Sequence, residues 1–548
     1  MDIRRTKNID GISHRSPLDI AGRENSYSPP AVEKKPELPI SENIYSSFEF
    51  SQKENHKPKF HWLRNILLGI LFLGIAAVIT YGTFFTYKFH STSQKIYVKT
   101  DAENPSLLKT LKSMAPGNDL KLKGASSGRI NILLLGIAGP GKPGQNLTDT
   151  IMVASLDTRT NRVALISIPR DLYVPVPDLN FSTKINSVYQ LGLNQNGNKA
   201  AASLNLLTGT IKDITALEIN YYIVLNFDGF EKIINSLGGI NVTSEKDILD
   251  TRYPGPNYSY ETFEISKGFH HLDGQTALKY ARVRHGDPEG DFGRAKRQQQ
   301  VMQAAKNKIF SSGTLLNIFA FNNLLDALGN NIITNISPDE IVGFIELIKK
   351  LDTNNINNVV VDAWSKDSLL KVSHVFFGEN SGVRAFILVP RVGNWSEIRE
   401  LAQNAFDLNV LKRRRDEIAK EDAFITILNR SGDNQLVNRI KKLLSVNLDY
   451  KNVLTVSENN EAVSEKTIAY DLNGGKKPFT LDELATKIPA IVSYDVDPAI
   501  RELTANKNPD IVLVLGKDIV DRYNMEEDTI EDLNKDRDNQ DSINFIKN

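Results

Sequence analysis

Residues 129–168 read RINILLLGIAGPGKPGQNLTDTIMVASLDTRTNRVALISI, and this stretch decides the fold. It holds three apolar runs, Ile130–Gly136, Ile151–Leu156 and Val163–Ile168, separated by segments rich in Gly, Pro, Asn and Asp. Each run is too short for a helix and is bounded by turn residues, so each predicts a buried strand. A fourth run, Tyr221–Phe227 (YYIVLNF), lies downstream, and helical stretches such as Ala200–Lys212 and Gly229–Leu237 fall between the runs. Strands alternating with helices indicate an α/β layered domain, here spanning 128–410.

Beyond Lys412–Arg415 the pattern restarts. Phe424–Leu428 and Val453–Val456 read as strands, Leu436–Leu444 as a helix, and Asp510–Gly516 (DIVLVLG) as another buried strand. This predicts a second, small α/β domain at 422–520, followed by an acidic, Asn-rich tail at 525–548 with the composition of a disordered segment. No internal repeat is visible.

Upstream, Asn65–Tyr87 carries no charged residue. Such a run is long enough to cross a hydrocarbon layer of about 30 Å as a helix. Trp62 on one side and Tyr81 and Tyr87 on the other stand where interfacial aromatics belong. A transmembrane helix is therefore expected at 63–87. Residues 1–60 are polar and rich in Pro and Ser, which suits a disordered tail, and their length before the span argues against a cleaved signal peptide. His56, Lys57, Lys59, His61 and Arg64 precede the span, against Lys88, Lys95 and Lys99 after it. That bias favours a cytoplasmic N-terminus in a single-pass cell-membrane protein, with a stalk at 88–127 and the bulk of the chain outside.

Composition removes whole classes of function. Lysine and arginine balance aspartate and glutamate at 66 each, so the chain lacks the basic surplus of a nucleic-acid binder. With no cysteine, thiolate nucleophiles, Fe–S clusters and Cys-ligated zinc are excluded. No HExxH spacing occurs.

Three clusters carry chemistry. In the first, Leu147-Thr148-Asp149-Thr150 precedes one predicted strand and Asp157 follows it. Such carboxylates suit Mg²⁺, which takes one or two of them plus substrate phosphate, although Asp at strand ends is more often a turn residue. The second, Ser167-Ile168-Pro169-Arg170-Asp171, puts an arginine at the carboxyl end of a strand, where α/β sheets bind ligands; a surface Arg–Asp pair is the plainer reading. The third runs Tyr280-Ala281-Arg282-Val283-Arg284-His285, then Asp291-Phe292-Gly293-Arg294, then Arg297-Gln298-Gln299. Extended backbone at YARVR would put Arg282 and Arg284 on one face. A helix beginning near Phe292 would align Arg294, Arg297 and Gln298. Converging guanidinium groups suit bidentate phosphate recognition, and a solvated basic helix face is the alternative.

In this order the blocks NILLLG, TDTIMVASLD, LISIPRDLYV, KINSVY, NFDGFEKIINSLGGINV, HLDGQTALKYARVRH and DFGRAKRQQQ resemble the LytR–CpsA–Psr family over roughly residues 129–302. Residues after Phe424, ILNRSG through DIVLVLG, are similar to the small LytR C-terminal domain often attached to it, with Asn429-Arg430 where Asn-Gly is usual. The resemblance implies a central mixed β-sheet flanked by helices, with an apolar pocket for a lipid tail. It implies an extracytoplasmic phosphotransferase that moves a glycopolymer from a polyprenyl pyrophosphate carrier to peptidoglycan through a phosphodiester bond. By the same resemblance Asp149 and Asp157 would bind Mg²⁺, and Arg170, Arg282, Arg284, Arg294 and Gln298, with Arg297 beside them, would hold the pyrophosphate. Asp171 and Asp291 are the candidates for accepting the acceptor's proton. Leu147 stands where the family commonly has Arg, which removes one phosphate contact. Two rival readings use the same residues: a polyprenyl pyrophosphate phosphatase, with water as acceptor, and a non-catalytic envelope protein that binds lipid-linked glycans.

Overall fold

The computed structural model describes residues 122–525 and 527, except 256–258, 285–286, 288–289, 312–328, 338–339, 353–354, 364–367, 377–383 and 458–462, together with Phe84 and Tyr87. The candidate span at 63–87, apart from those two residues, and the segments 1–60 and 88–121 lie outside the described residues. No helix among the described residues is long and apolar enough to cross a membrane.

The apolar runs are strands of one six-stranded mixed sheet. Its members are β1 (Arg129–Ile137), β2 (Thr148–Asp157), β3 (Val163–Ile168), β4 (Tyr221–Asn226), β5 (Ile332–Thr334) and β6 (Ile356–Val360), in the order β5-β4-β1-β2-β3-β6. β1 is parallel to β4 and β3 to β6, whereas β2 pairs antiparallel with both β1 and β3. Four strands, β4, β1, β3 and β6, therefore end on the same edge of the sheet, and the amino end of β2 lies among them. That edge gathers the chemistry.

The helices in chain order are α1 (Val188–Gln195), α2 (Ala200–Thr215), α3 (Phe227–Ser236), α4 (Gly274–Arg282), α5 (Gly290–Ser311), α6 (Glu340–Lys350), α7 (Ser396–Gln403), α8 (Asn409–Glu421), α9 (Leu436–Lys442), α10 (Pro478–Lys487) and α11 (Pro498–Thr504). Alternate strand residues go to opposite faces. Leu133, Leu135, Val153 and Ile166 pack against Leu204, Leu207 and Ile211 of α2 and Ile398 of α7. Ile130, Ile132, Met152 and Leu165 face the other way, toward Phe344 of α6. Both faces are covered, which is why these strands read as continuous apolar runs rather than alternating ones.

A second sheet lies downstream: β7 (Phe424–Asn429), β8 (Asn452–Val456), β9 (Ile468–Asp471), β10 (Ile491–Ser493) and β11 (Ile511–Leu515), in the order β8-β7-β11-β9-β10. Ile425, Ile427, Leu513 and Leu515 bury against Leu436 and Ile440 of α9 and Leu484 of α10. Lys487 of α10, buried, meets Glu400 of α7 at 2.6 Å, and Arg414 of α8 meets Glu483 at 3.4 Å, so ion pairs run between the helices of the two sheets.

Candidate active site

Asp149 owes its position to an irregularity. Gly136 of β1 faces Thr150, but Ile137 faces Thr148, so Asp149 is the extra residue of a β-bulge. Bulges re-aim side chains at sheet ends. Its carboxylate meets the Arg170 guanidinium at 2.7 Å. Arg170 follows the Pro169 turn at the end of β3, and its Nε lies 3.5 Å from Asp171, whose carboxylate also takes Lys184 at 2.7 Å. Asp171 is buried, held between two cations.

The bracketing of β2 by two aspartates separates them instead of joining them. Eight residues of strand at about 3.3 Å each put Asp157 roughly 26 Å from Asp149, on the opposite edge. There its carboxylate accepts hydrogen bonds from Arg159 N (2.9 Å), Thr160 N (3.0 Å) and Thr160 Oγ1 (2.6 Å). Burial raises its pKa, but these bonds and Arg162 outweigh burial and hold it below the ordinary carboxylate value. The expectation of a shared Mg²⁺ is corrected in one respect: Asp157 caps the β2–β3 turn and does not face Asp149. No cluster of three or more His, Cys, Asp or Glu that would hold a metal occurs among the described residues.

The extended reading of Tyr280–Arg284 is also corrected. α4 runs through Arg282, starting at Asp273, whose side chain accepts from Thr276 N at 2.8 Å. Val283 leaves the helix with φ −53° and ψ 138° and is fully buried. Arg282 and Arg284 therefore flank a helix end, both half-buried, and do not share a strand face. Arg282 stacks over Phe227, 4.2 Å to the ring centroid, and donates to the Tyr253 hydroxyl at 3.1 Å. Burial pushes the Tyr253 phenol up to about 12, so it remains protonated beside the guanidinium.

Arg297, read as a phosphate ligand, is turned elsewhere. It is buried, its Nε donates to Tyr280 O at 3.0 Å, its Nη2 to Val283 O, and its Nη1 pairs with Asp287, whose side chain is 0% exposed. Lys246 reaches the same carboxylate at 2.6 Å. Gly293 has no room for a Cβ beside Asp287.

The next three residues of α5 point in different directions, as successive helical positions do. Gln298 Nε2 donates to Thr150 Oγ1 at 2.8 Å and to Ala281 O at 3.3 Å, bridging the neighbours of Asp149 and Arg282. Gln299, buried, donates to Ser167 Oγ of β3 at 2.9 Å and to Val359 O of β6 at 3.4 Å. Gln300 accepts from the Tyr280 hydroxyl at 2.8 Å.

A small hollow of about 30 Å³ opens at this edge, lined by Asp149, Ser167, Pro169, Arg294, Gln298 and Asp362 among others. Arg294 is buried within it. Asp362, just past β6 and also buried, is a functional candidate that sequence reading missed. Its only signal was its place after the short polar strand INNVV. Asp291 lies in the first turn of α5, and its side chain is outside the described residues. Leu147 closes the turn before β2, donating its N–H to Gly144 O at 2.8 Å. The edge thus collects Arg294, Gln298, Asp149 and Asp362 around a hollow, with Arg170 adjoining through Asp149 and Arg282 through Gln298. Such a constellation suits a multiply charged oxyanion.

The LytR_cpsA_psr family model matches residues 83–385. Two bacterial relatives carry the name polyisoprenyl-teichoic acid–peptidoglycan teichoic acid transferase TagU. The one from Bacillus cereus is 29% identical over 51% of this chain and 79% of its own. The one from Bacillus mycoides is 30% identical over the same shares. The crystal structure of TagV from B. subtilis matches with 26% identity and a TM-score of 0.39, covering 51% of this chain and 97% of that one. With the family model covering more than half of its length, the chain belongs to the LytR–CpsA–Psr family.

Proposed function

We propose that this protein transfers a glycopolymer from a polyprenyl pyrophosphate carrier to a hydroxyl of peptidoglycan, leaving polyprenyl phosphate. The observation that carries the reading is the meeting of Arg170, Arg294 and Gln298 with Asp149 at one sheet edge, in a member of a family whose relatives are named as such transferases. Arg170, Arg282, Arg284, Arg294 and Gln298 hold the pyrophosphate. Arg170 exchanges its partially exposed Asp149 contact for phosphate oxygens when donor binds.

The acceptor oxygen forms a bond to the glycan-bearing phosphorus as the bond from that phosphorus to the bridging oxygen breaks. The acceptor's proton goes to Asp171 or Asp291. Such a reaction asks mainly for alignment and for fixed positive charge where negative charge accumulates. Mg²⁺ would be held by Asp149, with Asp362 lining the same hollow and substrate phosphate and water completing its ligands; it would neutralise charge on the leaving phosphate. Asp157 has no part in that site.

In the same reading, residues 63–87 anchor the chain in the cell membrane with residues 1–60 in the cytoplasm, and 422–520 is the LytR C-terminal-like domain. Incubation of the full chain in detergent with lipid-linked glycan, peptidoglycan fragments and Mg²⁺ tests the transfer. Mass spectrometry should find the phosphodiester-linked conjugate. Release of glycan phosphate regardless of acceptor would establish a phosphatase, and bound but unconsumed donor a binding protein.

A further inference from the structure

The last turn of any α-helix leaves carbonyls without intrahelical donors. α4 ends at Arg282, and the next two positions are Val283 and Arg284, neither glycine nor asparagine, so the turn is not closed by the usual left-handed cap. Val283 N satisfies Lys279 O at 2.9 Å. Tyr280 O and Val283 O receive Arg297 Nε and Nη2, and Ala281 O receives Gln298 Nε2. The helix end that presents Arg282 and Arg284 is thus capped from the side by α5. A cation at a helix C-terminus is also electrostatically favoured. The Arg297 guanidinium is fixed in turn by Asp287, which Lys246 holds from its other oxygen.

We propose that Arg297 is a positioning residue: clamped by Asp287, it sets the direction in which Arg282 leaves the end of α4, and so tunes pyrophosphate affinity without touching pyrophosphate. This rests on the phosphate reading of Arg282 given above. Lysine cannot replace it, because one ammonium group does not reach two carbonyls and a carboxylate in a planar fork.

A double-mutant cycle on the full chain tests the proposal, with farnesyl pyrophosphate as the probe and titrations run well below each variant's melting temperature. Arg297→Lys should weaken binding about ten-fold when Arg282 is present and less than about two-fold in the Arg282→Ala background, because residues acting through one another are not additive. A global structural effect would lower affinity equally in both backgrounds, and equal losses overturn the proposal. So does unchanged binding by Arg297→Lys while Arg282→Ala binds weakly. If Arg282→Ala itself binds like wild type, the phosphate reading falls and takes the proposal with it. Should Arg297→Lys not fold, Arg297→Gln, which keeps an amide donor without the buried charge, carries the same cycle.

Discussion

Two arginine–aspartate pairs meet the same helix, α5, one beside it and one through its own Arg297, and they differ in one physical respect. Arg170–Asp149 lies at the open sheet edge, with side chains 23% and 36% exposed. Arg297–Asp287 lies behind α4, with side chains 5% and 0% exposed. An exposed pair contributes little to stability and is readily exchanged for another partner. A buried pair cannot lose one member without stranding the other charge. One pair is therefore fit to open for a ligand, and the other to hold the scaffold that aims at it.

The largest effect should come from breaking the buried pair. Asp287→Ala should lower the unfolding free energy by about 3–5 kcal/mol, whereas Asp149→Ala should change it by no more than about 1 kcal/mol. Urea unfolding of both variants against wild type reads the contrast. Equal losses would erase the distinction between a scaffold pair and an exchangeable one.

Next in size is ligand binding. Arg282→Ala should weaken polyprenyl pyrophosphate about ten- to a hundred-fold, since hydrogen bonds to charged groups contribute roughly 1.5–3 kcal/mol. Val283→Ala, one position away and fully buried, should do the opposite: a stability loss of about 1–2 kcal/mol from lost burial and the cavity left behind, with affinity unchanged. Calorimetric titration beside thermal melts separates them. A Val283→Ala variant that loses affinity as Arg282→Ala does would show the helix end to be one cooperative unit.

What the sequence made legible follows from which contacts are local. The strands at 130–136, 151–156 and 163–168 were readable because both faces of the sheet are covered, leaving nearly unbroken apolar runs. Arg170 at the end of β3 was readable for a similar reason, since a strand's end marks its own edge. The end of α4 was not. No Gly or Pro stands directly after Arg282 to mark the stop, and the helix's carbonyls are capped by Arg297 and Gln298 from another helix, so YARVR mimics an alternating strand. Arg297 looked like its neighbours Arg294 and Gln298 for want of Asp287, whose part appears only when α4 and α5 pack. Asp362 was invisible because β6 joins the sheet beside β3 from nearly two hundred residues downstream. Asp157 misled in the other direction: its spacing from Asp149 is a strand's length, and that length is what parts them.

The smallest effect tests the two ends of β2. Asp157 accepts three hydrogen bonds within its own turn, and its pKa is held below the ordinary value despite burial. A carboxylate whose folded pKa is depressed stabilises fully above its unfolded value, near 3.9, and that contribution disappears as pH falls through the folded value. Asp157→Asn cannot titrate. The wild type should therefore exceed it by about 1 kcal/mol at pH 7, keep that margin down to roughly pH 5, and lose it progressively in more acid solution. Urea midpoints taken at successive pH values would show the gap closing from the acid side only. Transfer activity and its response to added Mg²⁺ should be the same in Asp157→Asn as in wild type, while Asp149→Asn should lose the Mg²⁺ response. If Asp157→Asn loses it too, the two ends of the strand are coupled in a way their separation along β2 does not allow, and the assignment of Asp157 to the turn fails.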